Sequence, residues 1–424
     1  MSGFNEVLAR NTEKAPKSIG PYSQTVAFSH YNYISAQLPI DPMTSELVSG
    51  GIEKQVKQCF QNIKAILENI DHFMDDIIRI TIYLTDINDT KTATEIHESY
   101  FLPCYTPTLT LLSVSSLPMG ASVQIEALIS NGEGTIPGSP QAANLIKVSR
   151  SSEDAPANNL SAQSVAFSHY NNVSAQLPID PKTNELVPGG AREQTRQCLN
   201  NIKSILSSVN VSFDDIVKIN IFLTSLSDVD RVNQVYSEFF PDSAVARAVS
   251  YLPARSVVAV TGLPRGARVQ VEAIVSHGNG TPPQLAEDRH GIIIKSSNNA
   301  LAPKDHMSSQ TVAFSHYNHL SAQLPLNPNT GKLIGNSITE QATQCLMNIK
   351  AIVASVNHKL SDVVKITIHL KNLDDLDAVN EVYGAFFPRG EPARTVVGVQ
   401  ALPLDARIQV DAVVSNAEGT PPRG

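Results

Sequence analysis

One phrase is written three times in this chain: VAFSHYNYISAQLP at 26–39, VAFSHYNNVSAQLP at 165–178 and VAFSHYNHLSAQLP at 312–325. The serines that head SAQLP are Ser35, Ser174 and Ser321, offset by 139 and then 147 residues. Such a period is far above those of solenoid repeats and denotes tandem globular domains. Copies of about 140 residues fall within ordinary domain sizes, so each can bury a core of its own. The longer second offset comes from DSAVARAVSYL at 242–252, between FFP and PAR, where copy three has only residues 389–391. An insertion confined to one loop supports the alignment on both sides of it.

Each copy ends in a Gly/Pro segment: NGEGTIPGSP from Asn131, HGNGTPP from His277 and NAEGTPPRG from Asn416. Read as linkers and a tail, these divide the chain into 1–137, 138–285 and 286–424. Within a copy the pattern is α+β. VAFSHYNYISAQ reads as a hairpin turning at SHYN. Residues 55–70 carry Val56, Cys59, Ile63 and Ile66 at helical spacing. DDIIRITIYLTDI alternates as a strand beside a core, DRVNQVYSEFF and DAVNEVYGAFF read as a second helix, and two more strands close the copy. The expected order is strand pair, helix, strand, helix, strand pair, with exposed sheet edges covered by packing the copies together.

Net charge is −8, from 32 basic and 40 acidic residues, which argues against a dedicated nucleic-acid surface. No apolar stretch is long enough to span a membrane, and the N-terminus lacks a secretory apolar run, so a cytosolic protein is expected. Cys59, Cys198 and Cys345 recur at one helix position and Cys104 stands alone. That is neither a disulfide framework nor a metal motif, and buried helix-face thiols are expected.

The ordered motifs GPYSQ, SAQLPIDP, QCLxNIKxIL, DDIVK, VNxVYxxFF, PAR-[ST]-VV and QVEA resemble the RidA-type (YjgF-like) imine deaminases, copy by copy over nearly the whole chain. The resemblance implies a chorismate-mutase-like α+β fold that assembles as trimers with pockets between subunits. It therefore implies a monomeric chain folded as its own pseudo-trimer, joined by linkers that raise the domains' effective concentration. The implied activity is hydrolysis of reactive 2-imino acids or enamines to 2-keto acids and ammonia, with no metal or cofactor.

A guanidinium is the natural clamp for an imino acid's carboxylate, because its planar fork donates two parallel bonds. The family's arginine maps to Arg255 and Arg394; copy one has Leu109 there. The water-orienting glutamate is mapped to Glu126 and Glu272, and to the shorter Asp411 in copy three. A solvated strand carboxylate is the competing reading of these three residues. The helix asparagine maps to Asn233 and Asn380, against Thr94 in copy one. The tyrosine of GPYSQ maps to Tyr22 alone, with Ser161 and Ser308 in the other copies. The substrate-facing Ser-Gly of the family maps to Ser35–Ala36, Ser174–Ala175 and Ser321–Ala322. Alanine serves there only if that backbone needs no positive φ.

The losses are complementary. If tyrosine and arginine come from opposite sides of a cleft, one interface pairs Tyr22 with Arg255 or Arg394, and one cleft lacks arginine altogether. The competing function is a catalytically relaxed ligand-binding or regulatory protein on the same scaffold. Some relatives are described as acting on translation or RNA, a reading the acidic balance weakens. His30, His169 and His316 recur at SHYN; a threefold metal site is weighed there, and a plain hairpin turn is expected.

Overall fold

The computed structural model describes residues 6–130, 147–157, 160–240, 252–276, 294–390 and 392–416. The expected boundaries at 137/138 and 285/286 lie outside these residues, as does all of the copy-two insertion except Leu252.

The repeated phrase folds as the hairpin its turn signal predicts. In copy one, β2 (Thr25–Phe28) and β3 (Tyr31–Gln37) flank a two-residue turn in which Ser29 has φ 49°. A short strand, β1 (Leu8–Arg10), precedes them and covers the edge of β2. Helix α1 (Gly51–Asn69) buries Val56, Cys59, Ile63 and Ile66. Strand β4 (Ile77–Leu84), helix α2 (Thr90–Ser99), β5 (Thr108–Ser113) and β6 (Val123–Ser130) complete the copy. The other copies repeat this plan, with sheets of six strands.

The last two strands do not pair with each other as expected. The order is β1-β2-β3-β6-β4-β5, with β5 parallel to β4 and β6 between β3 and β4. Helix α2 is the crossover that a parallel β4–β5 pair requires, so β6 closes the gap beside the hairpin.

Helices cover one face of each sheet and give each copy its own core. The other face meets the neighbouring copies. Phe28, Tyr31, Phe167, Tyr170, Phe314 and Tyr317 share one apolar cluster. The hydroxyls of Tyr31, Tyr170 and Tyr317 donate to the carbonyls of Phe167, Phe314 and Phe28, so copy one reaches two, two reaches three and three reaches one. The imidazoles of His30 and His169 each lie 6.4 Å, centroid to centroid, from that of His316. Among the described residues no group of His, Cys, Asp and Glu could hold a metal ion. Cys59, Cys198 and Cys345 are buried and Cys104 is exposed. No helix of the described residues is long and apolar enough to cross a membrane.

Candidate functional site

Three clefts lie where the PAR-type strand of one copy faces the SAQLP bulge of the next. A register shift falls between Ile34 and Gln37, and a matching one between Val271 and Ala273 opposite Ser174–Ala175. The extra residue of a bulge re-aims side chains, and here the serine turns to the neighbouring copy. Ser174 Oγ accepts the N–H of Leu109 at 2.9 Å, Ser321 Oγ that of Arg255 at 2.9 Å, and Ser35 Oγ that of Arg394 at 2.8 Å. Each hydroxyl donates to a carbonyl of its own copy, at Ala162, Ser309 and Ser23. The three serines thus hold the strands that carry the arginines. Ala36, Ala175 and Ala322 are not among the residues with positive φ, which satisfies the condition set for alanine.

The third cleft, between copies three and one, pairs Arg394 with Tyr22. The Arg394 guanidinium lies 4.5 Å from the centroid of the Tyr22 ring and 4.9 Å from that of Tyr383. Arg394 is 2% exposed, and its Nε and Nη1 have no hydrogen-bond partner among the described residues. Neither has Asn380 Oδ1. A Cβ on Gly20 would overlap Arg394 Nη2 and come within 2.9 Å of Asn380 Oδ1, which is why glycine precedes the Pro-Tyr of GPYSQ. Ser23 docks this segment by donating to Gly390 O at 2.6 Å. Burial lowers the Arg394 pKa while Tyr383 and Tyr22 oppose it; a guanidinium remains charged throughout the working range. Burial raises the Tyr22 pKa against the pull of Arg394, so the phenol keeps its proton, and its oxygen accepts the Ile19 N–H at 3.3 Å.

The second cleft, between copies two and three, has a volume of about 390 Å³. Arg255 donates to Asn233 Oδ1 at 2.6 Å and lies 4.5 Å from the Tyr236 ring centroid. Ser308 takes the place of the tyrosine and bonds Asp305 at 3.1 Å. The first cleft, between copies one and two, has about 300 Å³ and is lined by Leu109, Thr94, Ser174 and Ala175.

The carboxylates expected to orient water lie elsewhere. Arg394 and Thr395 are successive strand residues and point to opposite faces; Glu126 Oε2 contacts Thr395 Oγ1 and Lys365 Nζ, the latter at 2.8 Å. Glu272 pairs with Arg79 at 3.3 Å and Asp411 with Lys218 at 3.0 Å. All six line one cavity of about 70 Å³ among the three copies. Each cation engages the carboxylate of another copy, in a closed cycle. The assignment of Glu126, Glu272 and Asp411 to the arginine clefts is therefore corrected: they neutralise Lys365, Arg79 and Lys218 on the opposite strand face. The reading of them as solvated is corrected too, since they are buried or nearly so.

Residues two positions earlier face the clefts instead. Gln270 lines the first cleft and Gln409 the second. Gln124 Nε2 reaches the Ala36 carbonyl at 3.5 Å, and its Oε1 is buried without a partner among the described residues. The motif reading also missed Tyr236 and Tyr383 as platforms beneath the arginines. Their signal was the tyrosine of VNxVY, replaced in copy one by His97, where arginine is also absent. His97 is fully buried, 5.0 Å from the ring of Phe101 centroid to centroid.

The family described as Endoribonuclease L-PSP matches residues 12–130, 152–277 and 297–416. A RutC family protein of Pyrococcus horikoshii is 43% identical over 117 residues, 28% of this chain and 92% of that protein. The human protein named 2-iminobutanoate/2-iminopropanoate deaminase is 38% identical over 122 residues, 29% of this chain and 88% of its own length. Among solved structures, RidA from a Psychrobacter species is 35% identical, covering 29% of this chain and 99% of that one, with a TM-score of 0.28.

Proposed function

Because this chain belongs to the Endoribonuclease L-PSP (YjgF/RidA) family, we propose that it hydrolyses reactive 2-imino acids, or their enamine tautomers, to 2-keto acids and ammonia where Arg394 meets Tyr22. The observation that carries this reading is the buried Arg394 guanidinium, packed against two tyrosine rings, with Nε and Nη1 unpartnered among the described residues. A buried cation with unsatisfied N–H groups calls for an anion, and a substrate carboxylate would supply the acceptors.

The reaction needs four moves. The substrate carboxylate accepts from Arg394, which fixes C2 in the cleft. Water adds to C2 as the C=N π pair passes to nitrogen. The nitrogen takes protons, and the carbinolamine expels ammonia as the C=O bond forms. Imine plus water thus gives keto acid plus ammonia, with no redox partner. In this reading the Tyr22 hydroxyl, which keeps its proton, donates to nitrogen, and the Gln124 side chain turns to accept from water. Gln124 orients without acting as a base, so proton transfer falls to Tyr22, solvent and the substrate nitrogen.

We further propose that Arg394 marks the dominant site and that one chain is the working particle. The serine locks, the tyrosine relay and the ion-pair cycle each close within a single chain. A native mass of one chain supports this; a mass of three chains contradicts it. Keto-acid release from freshly generated 2-iminobutanoate tests the activity. No acceleration by folded protein would leave ligand binding without turnover, a reading favoured by the absence of a carboxylate beside Arg394 Nε and Nη1 among the described contacts.

A further inference from the structure

The first cleft lost its arginine without closing. Its volume is about 300 Å³, against about 390 Å³ in the Arg255 cleft. At matched positions Leu109 replaces arginine, Thr94 replaces asparagine and Ser161 replaces tyrosine. Leu109, Leu111, Leu160, Leu177 and Ile179 form its walls. Thr94 turns its hydroxyl to Thr90 O and Lys91 O at 2.9 and 3.0 Å. Gln270 also lines it, 3% exposed; its Oε1 has no partner among the described residues and is itself closed off from the cleft.

The charged side chain lining this cleft is Arg265, at the mouth. It is already held by Asn184 O at 2.8 Å and Glu185 at 3.3 Å, and its side chain is 38% exposed. An anion seated at Leu109 would therefore be buried against leucines without a cation, which is costly. An uncharged molecule would instead cover the apolar walls at about 25 cal/mol per Å² buried.

We propose that the cleft between copies one and two is a binding site for an uncharged small molecule with a compact apolar body. It uses no residue of the Arg394 site and does not depend on the deaminase reading.

The test uses the full chain, with 4-methylpentan-1-ol and its isosteric anion 4-methylpentanoate as probes, read by saturation-transfer NMR. The alcohol is expected to bind the wild type. Ala175→Phe, which fills this cleft, should weaken that binding about tenfold or more, whereas Ala322→Phe, which fills the Arg255 cleft, should not. Leu109→Arg restores the charge carried by the other copies and serves as an independent second variant: it should weaken the alcohol and add a site for the anion. Binding of the anion to the wild type should be insensitive to Ala175→Phe. Absence of alcohol binding, or its survival in both Ala175→Phe and Leu109→Arg, would overturn the proposal. So would anion binding that is lost in Ala175→Phe or Arg265→Ala, which would make this an anion site at the mouth.

Discussion

The guanidinium of Arg394 lies 4.5 Å from the ring centroid of Tyr22, although the two residues stand near opposite ends of the chain. Of the two PAR-motif arginines, Arg394 has two tyrosine rings against it, Tyr383 from the helix of its own copy and Tyr22 from copy one. Arg255 rests on Tyr236 and faces Ser308 where the second tyrosine would be. Tyr22→Ala should therefore raise KM about tenfold by freeing the guanidinium, while Tyr22→Phe keeps the stack and lowers mainly kcat. Steady-state kinetics on 2-iminobutanoate separate the two effects; equal behaviour of the variants would deny the hydroxyl a role.

A carboxylate at position 124 would add a base to this cleft. Gln124→Glu is expected to raise kcat about tenfold near neutral pH, the low end of what a positioned acid or base contributes. The gain should vanish as pH falls and the new carboxyl takes up its proton. An unchanged rate would place the water away from residue 124.

Much of this was legible in the sequence, and the part that was not has a single cause. Ile80 and Ile82 announced a strand over a core, and both lie in the core of copy one. The alternate positions Arg79, Thr81 and Tyr83 all line the cavity between copies. Alternation reports two faces; it does not say that a polar face meets another copy. For the same reason Glu126 could not be told from Gln124: they share a strand face, and only the packed neighbour separates the ion-pair cavity from the cleft. The pairing of Tyr22 with an arginine was foreseeable from the complementary losses, but the choice of Arg394 over Arg255 depends on which copies meet.

The ion-pair cycle makes a stability prediction distinct from catalysis. Lys365 and Glu126 meet at 2.8 Å with side chains 8% and 13% exposed. Glu126→Gln leaves the lysine buried without its counter-charge and should cost about 3–5 kcal/mol in denaturant unfolding. Adding Lys365→Met should recover most of that loss, since the double variant no longer buries an unpaired charge. If Glu126 instead served the chemistry, activity would fall with little change in stability.

Acid should weaken the fold before it protonates the carboxylates. Burial lowers the pKa of His97 and His30 to about 4, His316 adding to the effect at His30. Burial also brings His369 to about 4 and, with Lys218 and Arg79 adding to it, His319 to about 3. Unfolded histidine titrates near about 6.5. Between these values the unfolded chain binds more protons, so stability rises with pH and is lost as pH falls from about 6.5 towards about 4. Each histidine contributes up to about 1.4 kcal/mol per pH unit. His97→Phe should flatten this dependence by one histidine's share, read from denaturant midpoints across that window. An unaltered slope would mean that His97 titrates normally.

Arg394 should contribute most of the turnover. Keto-acid release from freshly generated 2-iminobutanoate should be compared for Arg394→Leu and Arg255→Leu, the replacement that copy one carries at Leu109. Loss of about a hundredfold or more in kcat/KM for Arg394→Leu, with less than about threefold for Arg255→Leu, is the predicted result. Equal partial losses in the two variants, or a larger loss from Arg255→Leu, would contradict it.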